Sequence, residues 1–293
     1  MSHPYNHFVN EFVRLLDETR EVPLGGIPPA AVPRLLDNAP RALLFAPHPD
    51  DESILGGLPL RLRRELSYRV SAVAVTQGSR VDRQPARLEE MRGACHFLGF
   101  EVITTRPNGL THINPRTRDQ KPGIWEDAVA VIAQIIAYHR ASVIFLPHDQ
   151  DFHSTHIGTH YLIMDALRTL GPNFRCKLVE TEYWRAMENP NLMVESSPED
   201  VADLVAAVSF HKGEVVRNPY HLSLPPWMAD NVRRGSELVA GQGAASPGFH
   251  FATLYRLTEW AHGRVSPCLK APRLIPLGAS LGEVFQREIV PAS

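Results

Sequence analysis

The stretch His-Pro-Asp-Asp-Glu at residues 48–52 and the histidines at 148, 153, 156 and 160 are the parts of this chain best suited to chemistry. Three adjacent acids, Asp50, Asp51 and Glu52, repel one another, and a surface loop has little reason to crowd them. A divalent cation would answer that charge. Zinc takes imidazole nitrogen and carboxylate oxygen in tetrahedral geometry, and a catalytic zinc keeps one position for water. Two ligands can come from the 48–51 stretch and a third from the histidine cluster. Pro49 stiffens the loop, so that His48 and one aspartate converge while the other aspartate points elsewhere, placed to take a proton from the water. Zinc lowers the pKa of that water to about 7, which makes hydroxide available at neutral pH.

In the second cluster His153 and His156 are spaced i, i+3, and His156 and His160 i, i+4. All three can share one side of a helix that begins near Ser154. One or two of them suit metal ligation, and another suits a general acid or an oxyanion stabiliser, because histidine titrates near neutrality. Taken alone, each cluster has a plainer reading. Asp50 to Ser53 would cap a helix N-terminus, and single histidines are usually structural. The two clusters together, each directly after a buried apolar run, argue for one site.

That argument depends on the elements that carry them. Short apolar runs at 41–47, 68–76, 101–105, 142–147 and 176–184 read as strands. Between them, 53–66, 84–99, 124–140 and 155–171 read as helices, the second closed by Gly99. This alternation predicts an α/β fold, a Rossmann-like and mostly parallel sheet with helices on both faces. Ligands of such sheets bind beyond the carboxyl ends of the strands. Residues 48–52 follow the first strand and 148–160 the fourth, so both clusters should open on the same edge. Residues 198–240 read as helical with proline breaks, and 249–257 as a last strand.

Ahead of the first strand, residues 5–18 form an amphipathic helix with Phe8, Phe12, Leu15 and Leu16 on one face, followed by a Pro/Gly-rich arm. The chain therefore divides into an N-terminal helix and arm, 1–38, and a main domain, 39–293. The apolar face of the helix predicts packing on the domain or on another subunit near the strand ends.

Composition narrows the classes. The chain has 293 residues, 44% hydrophobic and 21% charged, with a formal net charge of −2, as expected of a soluble globular protein. No basic stripe argues for nucleic acid, and no apolar run approaches the roughly 20 residues that span a membrane. The N-terminus lacks the pattern of a secretory signal. Cys95, Cys176 and Cys268 are odd in number and far apart, which reads as free thiols in a reducing compartment, the cytoplasm.

Pro-His-Pro-Asp-Asp-Glu followed about a hundred residues later by His-x-x-His resembles the LmbE-like, or PIG-L, zinc-dependent deacetylases. A third block supports the resemblance: the family's Arg-x-x-Glu helix ending in Leu-Gly is matched by Arg87, Glu90, Leu98 and Gly99. The resemblance implies zinc on His48, Asp51 and His156, with iron(II) as the other ion those ligands accept. It implies Asp50 as general base, His153 as a stabiliser of the tetrahedral intermediate or of the leaving group, and Arg87 reaching toward substrate. The implied reaction removes an acetyl group from the amide nitrogen of a small amino-sugar-like substrate. An amidase for a larger N-acyl or thiol conjugate is the second reading, and a catalytically idle metal-binding partner protein the third. A homo-oligomer is compatible with all three.

The chain departs from the family pattern in three places. The family's His-Pro-Asp-His is His-Ser-Thr-His here, so the carboxylate that would orient His153 is replaced by Thr155, with Asp149 or Asp151 as substitutes. Where a substrate-contacting acid often follows the third strand, this chain offers Asn108. About forty residues precede the first motif, which usually lies near the N-terminus.

Overall fold

The computed structural model describes residues 3–29 and 34–286. Helix α1 (Tyr5–Arg20) precedes a strand-helix alternation: β1 (Arg41–Ala46), α2 (Asp51–Ile54), α3 (Leu58–Glu65), β2 (Arg69–Ala74), α4 (Gln84–Leu98) and β3 (Glu101–Thr104). It continues through α5 (Pro115–Gln120), α6 (Pro122–His139), β4 (Val143–Pro147), α7 (Ser154–Thr169) and β5 (Cys176–Thr181). The last part holds β6 (Leu192–Ser196), α8 (Pro198–Ser209), α9 (Lys212–Val215), α10 (Tyr220–Leu238), β7 (Phe251–Ala261), β8 (Arg264–Pro267), β9 (Arg273–Ile275) and α11 (Gly282–Phe285).

Among the described residues the nine strands form one sheet in the order β3-β2-β1-β4-β5-β7-β6-β9, with β8 paired to β7. The first five are mutually parallel, and β7 joins antiparallel to both β5 and β6. This is the expected mostly parallel α/β sheet, extended on one side by a mixed edge. The apolar runs are continuous because both faces are covered. Leu44 and Ala46 of β1 face a core shared with α3, α4 and α8, whereas Leu43 and Phe45 face one built with α6 and α7. Full burial of each such large side chain contributes about 1.5–3 kcal/mol.

The expected single helix over 53–66 is two helices. Gly56, at φ 97°, and Gly57 interrupt it where the side chains of Thr253 and Ser196 press against the chain with no room for a Cβ. Gly99 closes α4 in the left-handed conformation, as expected. The sequence reading missed α5, β6, β8, β9 and α11. The first is set by Asn114, whose side chain accepts from the Thr117 amide at 2.9 Å.

The predicted N-terminal helix forms, but none of its residues is buried. Phe8 is 70% exposed and Leu15 54%, so of the two sites expected to cover the apolar face, the domain or another subunit, the domain does not bury it. What docks is the arm after it: Leu24 lies against the core, and the Gly25 amide donates to Ser209 Oγ at 3.1 Å. Among the described residues, no helix is long and apolar enough to cross a membrane.

Candidate metal centre

β1 lies between β2 and β4, so the strand order reverses across the β1–β4 pair. A crevice opens beyond the carboxyl ends of two such strands. Residues 48–52 enter it from β1 and residues 148–156 from β4. The first loop is tied down on both sides. Thr76 Oγ1 donates to the Pro47 carbonyl at 2.7 Å, and the Arg87 guanidinium donates to the Pro49 carbonyl at 2.6 Å. Within it, Asp50 adopts φ 121°, which a non-glycine residue holds only when its surroundings enforce it.

The two segments meet at Asp51. Its Oδ2 accepts the His48 amide at 2.8 Å, and lies 3.4 Å from His48 Nδ1 and 3.3 Å from His156 Nε2. Ring nitrogens of His48, His153 and His156 lie within 4.8 Å of one another. Burial pushes the Asp51 carboxyl up, but His156 and His48 outweigh it and hold it well below the usual carboxylate range. Burial opposes a charge on His156, and Asp51 and Asp151 overcome that, raising it to about 10. An ion between Asp51 and His156 would take the place of that proton. His156 is fully buried, and neither of its ring nitrogens makes a well-formed hydrogen bond. An orphaned buried imidazole beside a carboxylate and two further imidazoles is a donor set suited to a divalent ion.

Asp151, not Asp149, is the carboxylate behind the cluster. Its Oδ1 accepts the His153 amide at 2.8 Å and its Oδ2 accepts the Trp184 amide at 3.1 Å, while Oδ2 also stands 3.7 Å from His156 Nδ1. The His153 ring is oriented differently. As N-cap of α7, its Nδ1 accepts the Thr155 amide at 3.2 Å. In the neutral ring the proton then sits on Nε2. Burial and the neighbouring His48 and His156 lower the pKa of His153, so the neutral form dominates at pH 7.

Each of the three crowded acids has its own cationic or imidazole partner. Asp51 faces the histidines. Asp50 Oδ1 lies 3.5 Å from the Arg87 guanidinium. Burial, then the charge of Asp51, pushes the Asp50 carboxyl up to about 8 against the opposing pull of Arg87 and His211. Glu52 meets His211, whose Nε2 donates to Oε1 at 2.6 Å, both side chains being fully buried.

The other residues named from sequence are not among these donors. The Arg87 guanidinium is turned onto the loop. Asn108 is exposed on the segment after β3. His148 bonds the Arg185 carbonyl and His160 the Pro147 carbonyl, each at 2.9 Å. Sequence reasoning missed His211 and Tyr183, whose partly buried ring meets the edge of His156 at 4.8 Å between centroids. No local motif marks either residue.

Residues 43–167 match the family model described as PIG-L: GlcNAc-PI de-N-acetylase. No curated protein matches the chain. Among solved structures, N,N'-diacetylchitobiose deacetylase from Pyrococcus horikoshii is similar with a TM-score of 0.54 at 13% identity, over 90% of this chain and 94% of that one. A deacetylase of the teicoplanin biosynthesis pathway is similar with a TM-score of 0.55 at 17% identity, over 78% of this chain and 100% of that one. The 4-carboxy-2-hydroxymuconate hydratase of Pseudomonas putida is similar with a TM-score of 0.54 at 16% identity, over 74% of this chain and 95% of that one. At such identities these likenesses speak to the fold, on which different reactions are hosted. The segment from 43 to 167, which carries both polar clusters and α4, is the part of the chain that is similar to the PIG-L, or LmbE-like, family.

Proposed function

We propose that this chain is a divalent-metal-dependent hydrolase that removes an acetyl group from the amide nitrogen of a small amino-sugar-like substrate. The observation that carries this reading is the convergence of Asp51 Oδ2 on His48 and His156 beside a second, separately held carboxylate, Asp50. His48, Asp51 and His156 would hold the ion, zinc or iron(II). When bound there, zinc supplies hydroxide at neutral pH and polarises the substrate carbonyl.

Asp50 takes the proton released as water attacks, holds it on its carboxylate, and returns it to the departing amine nitrogen. Burial favours the protonated form of Asp50, which suits the return of the proton to the amine, and a cation held at Asp51 would favour the charged form that accepts it. His153, neutral and protonated on Nε2, donates to the oxyanion of the tetrahedral intermediate. Losing one such donor typically costs about 3–4 kcal/mol in the barrier. Arg87 braces the Pro49–Asp50 backbone and faces the Asp50 carboxylate, with its reach toward substrate secondary. Asn108, on the same sheet edge, is free to bond a sugar hydroxyl.

The family of residues 43–167 and the two deacetylases of like fold support this activity. We read residues 39–293 as one catalytic domain with 1–38 as an appended helix and arm. The described cysteines are all free, which suits the cytoplasm. The test is a panel of N-acetylated amino sugars and larger N-acyl conjugates, assayed for amine release with metal content measured on the same sample. Turnover confined to the larger conjugates would favour the amidase, and stoichiometric metal without turnover the idle binding protein.

A further inference from the structure

We propose that His211 is a positioning residue for Asp50, acting through Glu52; the inference rests on the hydrolase reading for its kinetic consequence and on geometry for its structural one. Glu52 is the hub. Its Oε2 accepts the Asp50 amide at 3.0 Å, and its Oε1 accepts both Ser53 Oγ at 2.9 Å and His211 Nε2 at 2.6 Å. The Asp50 amide is the one that the strained φ of 121° directs at Glu52. Without that acceptor, nothing else described holds the amide, and Asp50 would relax toward an ordinary backbone region and carry its carboxylate away from the ion's donors.

His211 is what keeps the acceptor in place. It sits between α8 and α9, outside the family segment, and its own amide donates to the Val208 carbonyl at 3.0 Å. The ring is fully buried, and its Nδ1 has no partner. The Nε2 that faces a carboxylate must carry the proton, so the ring serves as a donor to Glu52. A buried pair of this kind is weak evidence for stability, because an apolar pair of equal volume generally serves a core as well. Its place beside a strained residue is explained by what it positions. Arg87 completes the brace from the other side, through the Pro49 carbonyl.

The test compares wild type with His211→Leu, which removes the donor while keeping an apolar body, and with His211→Gln, which restores an N–H donor. For the best N-acyl substrate, His211→Leu lowers kcat about 100-fold, the scale of a misplacement of roughly 1 Å. KM and metal content stay near wild type, and His211→Gln recovers most of the loss. In crystals of His211→Leu, Asp50 leaves positive φ. If His211→Leu does not fold, Glu52→Gln puts the same question, since it keeps the volume and weakens the link to both Asp50 and His211. Wild-type kcat in these variants, parallel loss of metal, or no recovery by glutamine overturns the proposal. If the wild type turns over no N-acyl substrate, the deacetylase reading fails by itself. The crystal comparison then decides, and an unchanged Asp50 backbone in His211→Leu overturns the positioning role.

Discussion

Asp51 Oδ2 lies 3.3 Å from Nε2 of His156, so the loop after β1 and the helix after β4 share one polar centre. The contact exists because β1 and β4 are adjacent and parallel, which delivers both segments to the same edge. Replacing His156 by alanine should remove one donor and leave a small cavity. The expected result is a folded protein, by circular dichroism, with metal well below one ion per chain. Full occupancy in His156→Ala would exclude it as an essential ligand.

Asp50→Asn separates proton transfer from metal binding. The amide keeps the shape but cannot accept the proton, so metal is retained and kcat falls by about 10²–10⁴-fold. Asp51→Asn should instead empty the site. The opposite pattern, with Asp50→Asn losing metal, would reverse the two aspartates' roles.

Asp165 gives a pH dependence that does not involve the metal centre. Its carboxylate accepts from Arg118 Nε at 2.8 Å and Trp125 Nε1 at 2.9 Å, tying α5 and α6 to the helix that carries His156. Burial raises its pKa, but the bonds from Arg118 and Trp125 outweigh it and the net shift is downward. A depressed folded-state pKa contributes stability above the unfolded value, near 3.9, that is lost as pH falls through the folded one. Asp165→Asn should therefore melt lower than wild type at pH 7, by an amount on the order of 1 kcal/mol because the pair is partly hydrated. The gap should close below about pH 4. A gap that stays constant down to pH 2 would contradict this.

Gly158 lies two residues beyond His156, and a Cβ there would stand 2.6 Å from the backbone of Asn114. Backbone cannot swing aside as a side chain can, so Gly158→Ala should destabilise by about 1–3 kcal/mol. It should also loosen metal binding, since α7 must shift to make room. Equal melting temperature and equal metal affinity in the variant would refute the close packing.

Much of this centre is legible in sequence because its parts are local. His48, Asp50 and Asp51 fall within one turn after an apolar run, and His153 and His156 within another. The alternation of runs then places both on one edge. What is not legible depends on distance along the chain. Nothing near Glu52 announces His211, and only the folded sheet brings α8 and α9 behind the first loop. The His153 tautomer is likewise invisible, because it is set by a backbone amide and not by the aspartate that the family motif supplies. The helix over 53–66 splits for the same kind of reason, since Thr253 and Ser196 come from strands near the other end of the chain. The short strands β6, β8 and β9 exist through pairing, more than through any periodicity of their own.

The most direct test of the central claim is acetate release from N-acetylated amino sugars by the wild-type protein before and after chelation. The account predicts release by the metal-loaded protein, its loss when the ion is stripped, and its return on adding zinc or iron(II). Release that persists unchanged in the fully stripped protein, or none from the loaded protein across the panel, would contradict it.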